Sequence, residues 1–487
     1  MTFNSWEFLL FYPIVAGLYF LLPKKMKWPL LLVASYFFYM CYQAELVFLI
    51  LGTTIVSWIS SRLIEKTERR AVKLLCLIVT LVASLGVLFF YKYFNFLSGS
   101  VTEIATAFGG EIGTLTLDLM LPVGISFYTF QTLSYVIDVC RGQVKAERNF
   151  FFYALFVSFF PQLVAGPIER PDNLIPQLRE PKPLTKDNAL KGAKHMLVGF
   201  FKKVCVADTI AVYVNAVYNK PDEATGIGVI IATMLFAVQI YCDFSGYTDI
   251  AIGCARIMGI RLMQNFDHPY HATSIKEFWA RWHISLSSWF RDYLYIPLGG
   301  NRRGRARQLV NLMIVFLVSG LWHGAAWTFV IWGAIHGIYQ IVGNLTRKPK
   351  AALLARMGLS ESAPAVIWAR RVTTFVLVCF AWIFFRANSL SDVGVLLSRL
   401  FTAEGWQMPL GDALASMELS LIPAITAIAT LVILLLVDHM LTYDDGTDSS
   451  AVLTRRGGFI YFVWIILLVW ALLLSKDMVS TFIYFQF

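Results

Sequence analysis

The stretch LVNLMIVFLVSGLWHGAAWTFVIWGAIHGIYQIV, from Leu309 to Val342, decides how the rest of the sequence is interpreted. It is almost entirely apolar, and as a single helix it would be about 50 Å long. The hydrocarbon core of a membrane is only roughly 30 Å thick, so we expect two helices with a break between them. Gly320 and Gly324 mark that break, and His323 lies between them. An ionisable side chain at such a depth needs a partner, which makes His323 the leading candidate for a functional residue.

The composition is that of a membrane protein. Of the 487 residues, 57% are hydrophobic and only 15% are charged. Apolar runs of about twenty residues recur along the chain, and they do not alternate with polar residues as membrane β-strands do. The sequence therefore predicts an all-α fold, a polytopic transmembrane helical bundle with about eleven to thirteen crossings plus re-entrant and amphipathic helices.

Lys and Arg residues indicate which loops face the cytoplasm. They cluster in every second loop, as the positive-inside rule requires, and both termini are then expected outside. This sorting explains the net charge of +10 without nucleic acid, because the basic residues form no single patch. The predicted spans are 8–22, 28–42, 46–63, 73–96, 117–139, 193–218, 226–251, 309–321, 327–342, 372–385, 419–437 and 459–474.

One apolar run breaks the alternation of sides. The run 150–164 is followed by residues 170–194, which are rich in Lys and Arg and would lie outside after a full crossing. Because the run is short and ends in the sequence PQLVAGP, we interpret it as a re-entrant segment. The longest outer loop is expected at 387–418.

We interpret residues 1–487 as a single integral-membrane domain. In this interpretation 1–140 supply the N-terminal spans, 141–345 the catalytic core with re-entrant and interfacial helices, and 346–487 the C-terminal spans. The seven cysteines are scattered in or beside apolar runs, a spacing typical of packing residues and not of a disulfide or zinc framework. We therefore expect no metal site.

An unusual aromatic sequence, YHATSIKEFWARWHISLSSWFRDYLY, occupies residues 270–295. Ser274 and Glu277 have the spacing of a capping box, so we expect a helix to begin there. Charged and aromatic residues recur at roughly helical spacing, which favours a helix along the cytoplasmic interface or dipping into the bundle. A Trp-rich interfacial anchor without chemistry is the alternative.

Several polar residues in apolar surroundings are candidates for function. His323 could act as a base, because the pKa of imidazole suits proton transfer near neutral pH and small neighbours would leave room for a ligand. A structural histidine bonded to a nearby carbonyl fits that single residue equally well. His336 is interpreted as a helix-packing residue among small neighbours. Asp243 and Tyr247 are interpreted as structural hydrogen-bonding residues first and pocket residues second.

Several motifs together resemble the membrane-bound O-acyltransferase family, and within it the bacterial alginate O-acetyltransferase branch. The resemblance extends over nearly the whole chain, and most of the motifs are long. They are QTLSY at 131–135, FPQLVAGPI at 160–168, DFSGYTD at 243–249, FWARWHISL at 278–286, RDYLYIPLGG at 291–300, WHG at 322–324 and FIYFQF at 482–487.

The resemblance implies an enzyme of the bacterial inner membrane that takes an acyl group from a cytoplasmic thioester and delivers it to a hydroxyl outside. His323 would match the family's active-site histidine and His283 its second catalytic position, with Trp322 as a pocket or structural neighbour. The sequence does not decide between an acyl-enzyme intermediate and direct transfer, and we prefer direct transfer. The expected partners are membrane lipid, an extracytoplasmic protein of the SGNH hydrolase type and a polysaccharide such as alginate.

The donor implied by the resemblance is acetyl-CoA, as a co-substrate and not as a bound cofactor. Its phosphates could pair with guanidinium groups, which match phosphate geometry. Ordinary topogenic charge explains the same residues equally well. The candidate donor-binding residues are Arg302, Arg303, Arg305 and Arg307.

Two other functions remain open from the sequence. D-alanyl transfer to teichoic acid, from a thioester on a carrier protein, is the nearest alternative, but the long C-terminal third of this chain favours acetyl transfer. A non-catalytic acyl or lipid transporter is the other. Transporters usually contain paired broken helices in two related halves, whereas one clear break is present here, at His323.

Overall fold

The computed structural model describes residues 1–110, 112–164, 166–417 and 421–440. Within these ranges the chain is helical, and its extended backbone forms one isolated bridge, between Phe266 and Trp282. This confirms the predicted all-α fold. The predicted span 459–474 and the motif at 482–487 lie outside the described residues.

The chain forms two compact units. The first comprises Met1–Met196 and Tyr247–Met263, and the second comprises Leu197–Gly246 and Gln264–Phe487. These boundaries differ from the three stretches proposed for one integral-membrane domain, and the single-domain interpretation stays a prediction.

The helices of the first unit follow most of the predicted spans. These helices are α1 Trp6–Leu21, α2 Lys24–Met40, α3 Val47–Lys66, α4 Arg70–Leu88, α5 Phe94–Ala107, α6 Ile125–Cys140, α7 Phe150–Ser158, α8 Phe160–Leu163 and α9 Pro171–Arg179.

Five of the seven cysteines of the whole chain are buried, as packing residues are expected to be.

The fourth predicted span is longer than expected. A π-helical turn, Phe89–Tyr93, joins α4 to α5, so that Arg70–Ala107 is one apolar helix of 38 residues. The sequence-based prediction placed its end near residue 96. The absence of Lys and Arg from the following residues indicates which side of the membrane they face, but it does not end a helix. No proline follows that would end the helix there.

The predicted helix boundaries around 117–164 are only partly confirmed. Helix α6 begins at Ile125 and not at residue 117, after Gly124, whose φ of 73° is in the left-handed region. A Cβ atom at Gly124 would also overlap the carbonyl oxygen of Leu163, so only glycine fits there. The run 150–164 forms α7 and α8, which are separated at Phe159 and are each too short to cross a membrane. Its re-entrant placement stays a prediction.

The second unit contains the long helices of the C-terminal half. Helices α10 and α12 contain the boundaries between the units. The remaining helices are α10 Lys186–Phe200, α11 Asp208–Tyr218, α12 Gly226–Ile257, α13 Ile275–Arg281, α14 Ile284–Phe290, α15 Arg305–His323, α16 Trp327–Arg356, α17 Pro364–Arg386, α18 Leu390–Phe401, α19 Leu410–Ser416 and α20 Leu421–Met440.

Helix length and composition agree with a multi-pass membrane protein. Five described helices are long and apolar enough to cross a membrane, and two shorter apolar helices accompany them. The total of eleven to thirteen crossings stays a prediction. The expected outer loop 387–418 is not a simple loop, because it contains α18 and α19. The five helices are Ala44–Lys66, Arg70–Ala107, Gly226–Ile257, Arg305–His323 and Pro364–Arg386.

Candidate active site

The break predicted at His323 is present. Helix α15 ends at His323, and α16 begins at Trp327 after three residues of non-helical backbone. Gly324 is extended, and its N–H donates to the carbonyl of Gly320 at 3.2 Å, so the end of α15 remains hydrogen-bonded. The backbone therefore turns directly after the imidazole.

The small residues at the break serve helix packing. A Cβ atom at Gly320 would overlap the carbonyl oxygen of Phe329, and one at Gly324 would overlap the Phe329 ring. On the facing helix, a Cβ at Gly333 would overlap the carbonyl of Phe316. Small residues at such positions let two helices approach closely. Phe329 fills the space beside these two glycines, and room for a ligand elsewhere beside His323 stays a prediction.

Aromatic rings surround His323, which is 2% exposed. The rings of Trp322 and Trp332 each have their centroids 5.0 Å from that of the imidazole, and the Phe385 ring lies at 5.5 Å. All three rings meet the imidazole edge to face. Walls of this kind exclude water, and hydrogen bonds and charges act more strongly in a desolvated site.

His283 is the second histidine of the site, and it lies where the aromatic stretch 270–295 breaks. We expected one helix beginning after Ser274. The hydroxyl of Ser274 does accept the N–H of Glu277, at 3.2 Å, but α13 ends at Arg281 and α14 begins only at Ile284. His283 joins them with a φ of 44°. A non-glycine residue in this region costs on the order of 1–3 kcal/mol and persists only where the surroundings impose it.

Backbone hydrogen bonds impose that conformation from both sides. The N–H of Asp267 donates to the carbonyl of Arg281 at 2.9 Å, and the N–H of Ile284 donates to the carbonyl of Asn265 at 2.9 Å. Between these bonds, Phe266 and Trp282 form the isolated bridge. The segment 265–267 therefore holds the junction between α13 and α14 in place.

The side chain of Asn265 also binds His283. Its Oδ1 atom lies 3.0 Å from Nδ1 of His283, and it accepts the N–H and the hydroxyl of Ser285 at 3.3 and 2.9 Å. All three residues are fully buried. Burial lowers the pKa of His283, which lies outside the five candidate spans, to about 3. Its imidazole is therefore uncharged at neutral pH.

The structure brings the two predicted catalytic histidines together. The ring centroids of His283 and His323 are 6.5 Å apart, although the residues lie in different elements. The Phe244 ring packs on His283 at 4.6 Å, and the Trp322 ring lies at 5.8 Å. Two buried imidazoles at this spacing can act on one reacting group or exchange protons through it.

Asp243 takes part in a buried cluster of charges that the sequence analysis missed. Nζ of Lys203 lies 2.7 Å from a carboxylate oxygen of Asp243 and 2.8 Å from one of Asp208. All three side chains are almost fully buried. The residues Lys202 and Lys203 within the predicted span 193–218 were the available signal, because charged side chains in apolar runs need partners. The structural interpretation of Asp243 agrees with this geometry.

Tyr247 belongs to the first unit. Its hydroxyl donates to the side-chain carbonyl of Asn4 at 3.2 Å, and its ring stacks on Phe3 with centroids 5.5 Å apart. These contacts are structural, in line with the first of its two predicted roles.

His336 is buried in α16 among aromatic rings. The indole N–H of Trp279 donates to its Nδ1 atom at 3.2 Å, and the Trp332 ring lies 5.1 Å from it. The same Trp332 ring also contacts His323, with ring centroids 5.0 Å apart. This environment agrees with a helix-packing histidine.

The four candidate donor-binding arginines lie at the other end of α15 from His323. Arg305 is the first residue of the helix and His323 is the last, a separation of about 27 Å at 1.5 Å per residue. Arg302, Arg303 and Arg307 are exposed in the same region. Only a donor with a long arm could contact both ends. Among the described residues no group of three or more His, Cys, Asp or Glu side chains could hold a metal ion.

Comparisons with known proteins match this part of the chain. The model of the membrane-bound O-acyltransferase family matches residues 142–381, which include both histidines and Lys203. A protein of Pseudomonas aeruginosa named probable alginate O-acetylase AlgI is 40% identical over 410 residues, covering 84% of this chain and 76% of that protein.

Two further relatives carry other names. The peptidoglycan O-acetyltransferase of Helicobacter pylori is 34% identical over 442 residues, covering 83% of this chain and 80% of that protein. The teichoic acid D-alanyltransferase of Bacillus subtilis is 29% identical over 239 residues, covering 46% of this chain and 60% of that protein.

Proposed function

This chain belongs to the membrane-bound O-acyltransferase family, and we propose that it is an acetyltransferase acting on the hydroxyls of an extracytoplasmic polysaccharide such as alginate. The observation that carries the proposal is the pair of buried histidines, His283 and His323, with ring centroids 6.5 Å apart in a wall of aromatic rings. We place the protein in the bacterial inner membrane, with acetyl-CoA as the donor on the cytoplasmic side.

The proposed reaction is direct transfer. An acceptor hydroxyl attacks the thioester carbonyl, the C–O bond forms, and the C–S bond breaks. His323 takes the proton of the hydroxyl and returns it to the departing thiolate, which leaves as the free thiol. The desolvated aromatic wall protects the thioester from water, and a hydroxyl held within reach of the imidazole is then the favoured nucleophile.

The arginines at the start of α15 are the proposed contacts for the donor's phosphates. The four residues are exposed, and guanidinium groups match phosphate geometry. Because Arg305 lies about 27 Å from His323, the long arm of the donor must extend along the helix to bring the thioester to the imidazole. The four residues are Arg302, Arg303, Arg305 and Arg307.

We propose that the acetyl group reaches its final acceptor through a partner protein. We expect an extracytoplasmic protein of the SGNH hydrolase type to receive the acetyl group and to pass it to the polysaccharide. The relatives named for alginate and for peptidoglycan support a carbohydrate acceptor, since both names refer to glycans with free sugar hydroxyls.

Acetyl transfer is favoured over D-alanyl transfer by the extent of the matches. The alginate-type relative aligns with 84% of this chain, whereas the D-alanyltransferase aligns with 46% of it. Purified protein supplied with acetyl-CoA or with a D-alanyl carrier protein separates the two. Turnover with the loaded carrier alone would reverse the choice.

The test of the proposed function is acetyl transfer by the protein in lipid nanodiscs. Radiolabelled acetyl-CoA is supplied together with the SGNH-type partner protein and alginate oligosaccharides, and free thiol and O-acetyl ester are both measured. His323→Ala is expected to lower kcat by about 10²–10⁴-fold, the usual contribution of a general base. The matched control is His271→Gln, which changes an exposed histidine of the same unit and should keep the wild-type rate of acetyl transfer. Undiminished transfer by His323→Ala would refute catalysis by this residue and favour transport.

A further inference from the structure

The amide of Asn265 has a fixed orientation. The backbone N–H of Ser285 points at one terminal atom of this amide, at 3.3 Å, and a backbone N–H can only donate. The receiving atom must therefore be the carbonyl oxygen Oδ1 and not the NH₂ group. The hydroxyl of Ser285 donates to the same oxygen at 2.9 Å.

This orientation fixes which nitrogen of His283 carries the proton. Nδ1 of His283 lies 3.0 Å from the same Oδ1 atom, and that oxygen is only an acceptor. Nδ1 must donate, so the neutral imidazole carries its proton on Nδ1 and its lone pair on Nε2. The uncharged state of the ring is consistent with its complete burial.

The backbone supports the same arrangement. His283 adopts a left-handed conformation with a φ of 44°, and the carbonyl of Asn265 accepts the N–H of Ile284 at 2.9 Å. Asn265 thus binds the junction through its backbone and its side chain together. Strained backbone that its surroundings hold in place is frequent at functional sites.

We propose that Asn265 and Ser285 are positioning residues that hold His283 in the Nδ1–H tautomer, so that Nε2 faces the reaction as a hydrogen-bond acceptor. The inference rests on the proposed function and deepens it. His283 receives a hydrogen bond from the acceptor hydroxyl or from protonated His323, and it does not donate one to the thioester carbonyl. Oxyanion stabilisation must then come from other groups.

The direct test is nuclear magnetic resonance of the protein labelled with ¹³C and ¹⁵N histidine. The chain has seven histidines, and the signal that disappears in His283→Gln belongs to His283. At neutral pH we expect a protonated Nδ1 and an unprotonated Nε2. A proton on Nε2 with a bare Nδ1, or a doubly protonated ring, would overturn the proposal. This measurement does not depend on acetyl-transfer activity, so its outcome is independent of whether the proposed function is correct.

Variants of Asn265 test the consequence for catalysis. Asn265→Ala removes the acceptor, and we expect a loss of about 10–100-fold in kcat at every pH. Asn265→Asp keeps an acceptor for Nδ1–H but adds a negative charge, which raises the pKa of His283. The rate of acetyl transfer by Asn265→Asp should fall at low pH, where Nε2 of His283 is protonated. It should recover to near the wild-type rate as the pH rises.

Other charged groups around His283 are the same in these variants. His323 faces the ring from α15, Arg281 with its partners Glu277 and Asp267 flanks the junction, and Asp243 precedes Phe244 on α12 in its ion pair with Lys203. Asn388→Asp is the control, an exposed asparagine whose Oδ1 accepts from the Arg386 guanidinium at 3.2 Å, as a carboxylate also can. It should not move the pH profile.

The outcomes are distinguishable. Equal losses at all pH values in Asn265→Asp and Asn265→Ala would indicate a merely structural asparagine and would overturn the proposal. Undiminished transfer by His323→Ala would refute the proposed function, while the tautomer measurement would still decide the arrangement of Asn265 and His283.

Discussion

His283 and His336 are both fully buried in the second unit, yet their hydrogen bonds have opposite sense. Nδ1 of His283 faces the carbonyl oxygen of Asn265 and must donate, whereas Nδ1 of His336 accepts the indole N–H of Trp279. The neutral ring has its lone pair on Nε2 at His283 and on Nδ1 at His336. Burial alone therefore does not identify a reactive histidine, since the partner decides which nitrogen can accept a proton.

The largest expected difference between these two histidines is in catalysis. His283→Gln should lower kcat by about 10²–10⁴-fold, because it removes an imidazole that we propose to contact the reacting groups. His336→Gln can still accept the Trp279 N–H and should keep kcat within a few-fold. Steady-state acetyl transfer in nanodiscs measures both. Equal losses of kcat in the two variants would show that the two histidines do not differ in catalysis.

Lys203, Asp208 and Asp243 form a buried cluster of charged side chains, in contrast to the buried site around His283, where the hydrogen-bonded side chains are uncharged. Lys203→Met removes the cation that lies within 2.8 Å of both buried carboxylates and should lower the free energy of unfolding by about 3–5 kcal/mol. Denaturant unfolding in detergent measures the loss. The triple variant Lys203→Met, Asp208→Asn, Asp243→Asn is the control and should regain part of it. A Lys203→Met protein as stable as the wild type would show that the cluster contributes nothing.

The low pKa of His283 predicts a pH dependence of stability. The folded protein keeps this ring neutral down to about pH 3, whereas the unfolded chain protonates it near the usual value of about 6.5. The unfolded state thus binds the extra proton first, and stability falls as the pH drops below 6.5. At pH 5 the loss from this group is about 2 kcal/mol.

His283→Gln removes that group and isolates its contribution. Thermal unfolding at pH 7.5 and pH 5 should show a smaller acid-induced drop in the variant than in the wild type. Equal drops would mean that the folded protein does not keep this ring neutral.

The smallest expected effect is at the partner of His336. Trp279→Phe removes the indole N–H and keeps most of the ring, so the lost hydrogen bond should cost about 1 kcal/mol of unfolding free energy. The transfer rate should be unchanged. A change in the pH profile of transfer in this variant would indicate that His336 also takes part in the reaction.

Local patterns made the break at His323 predictable. The length of the apolar stretch and its glycines placed the break, and the spacing of Ser274 and Glu277 placed the start of α13. These features depend on residues close together in the sequence, where spacing and composition carry the information.

Features that depend on distant parts of the chain were not predictable. The left-handed backbone at His283 depends on hydrogen bonds to the segment 265–267, and no local pattern indicates that pairing. The role of Asn265 was missed for the same reason. The resemblance to a family indicated that His283 matters, but it did not indicate what holds the side chain.

The central claim is that His283 and His323 act together on one acyl transfer. The most direct measurement compares kcat/KM for acetyl transfer by His283→Gln, by His323→Gln and by the double variant. Residues that act as a unit give strongly non-additive losses, so we predict that the double variant is no slower than the slower single variant. Losses that multiply in the double variant, or single variants that keep the wild-type rate, would contradict the claim.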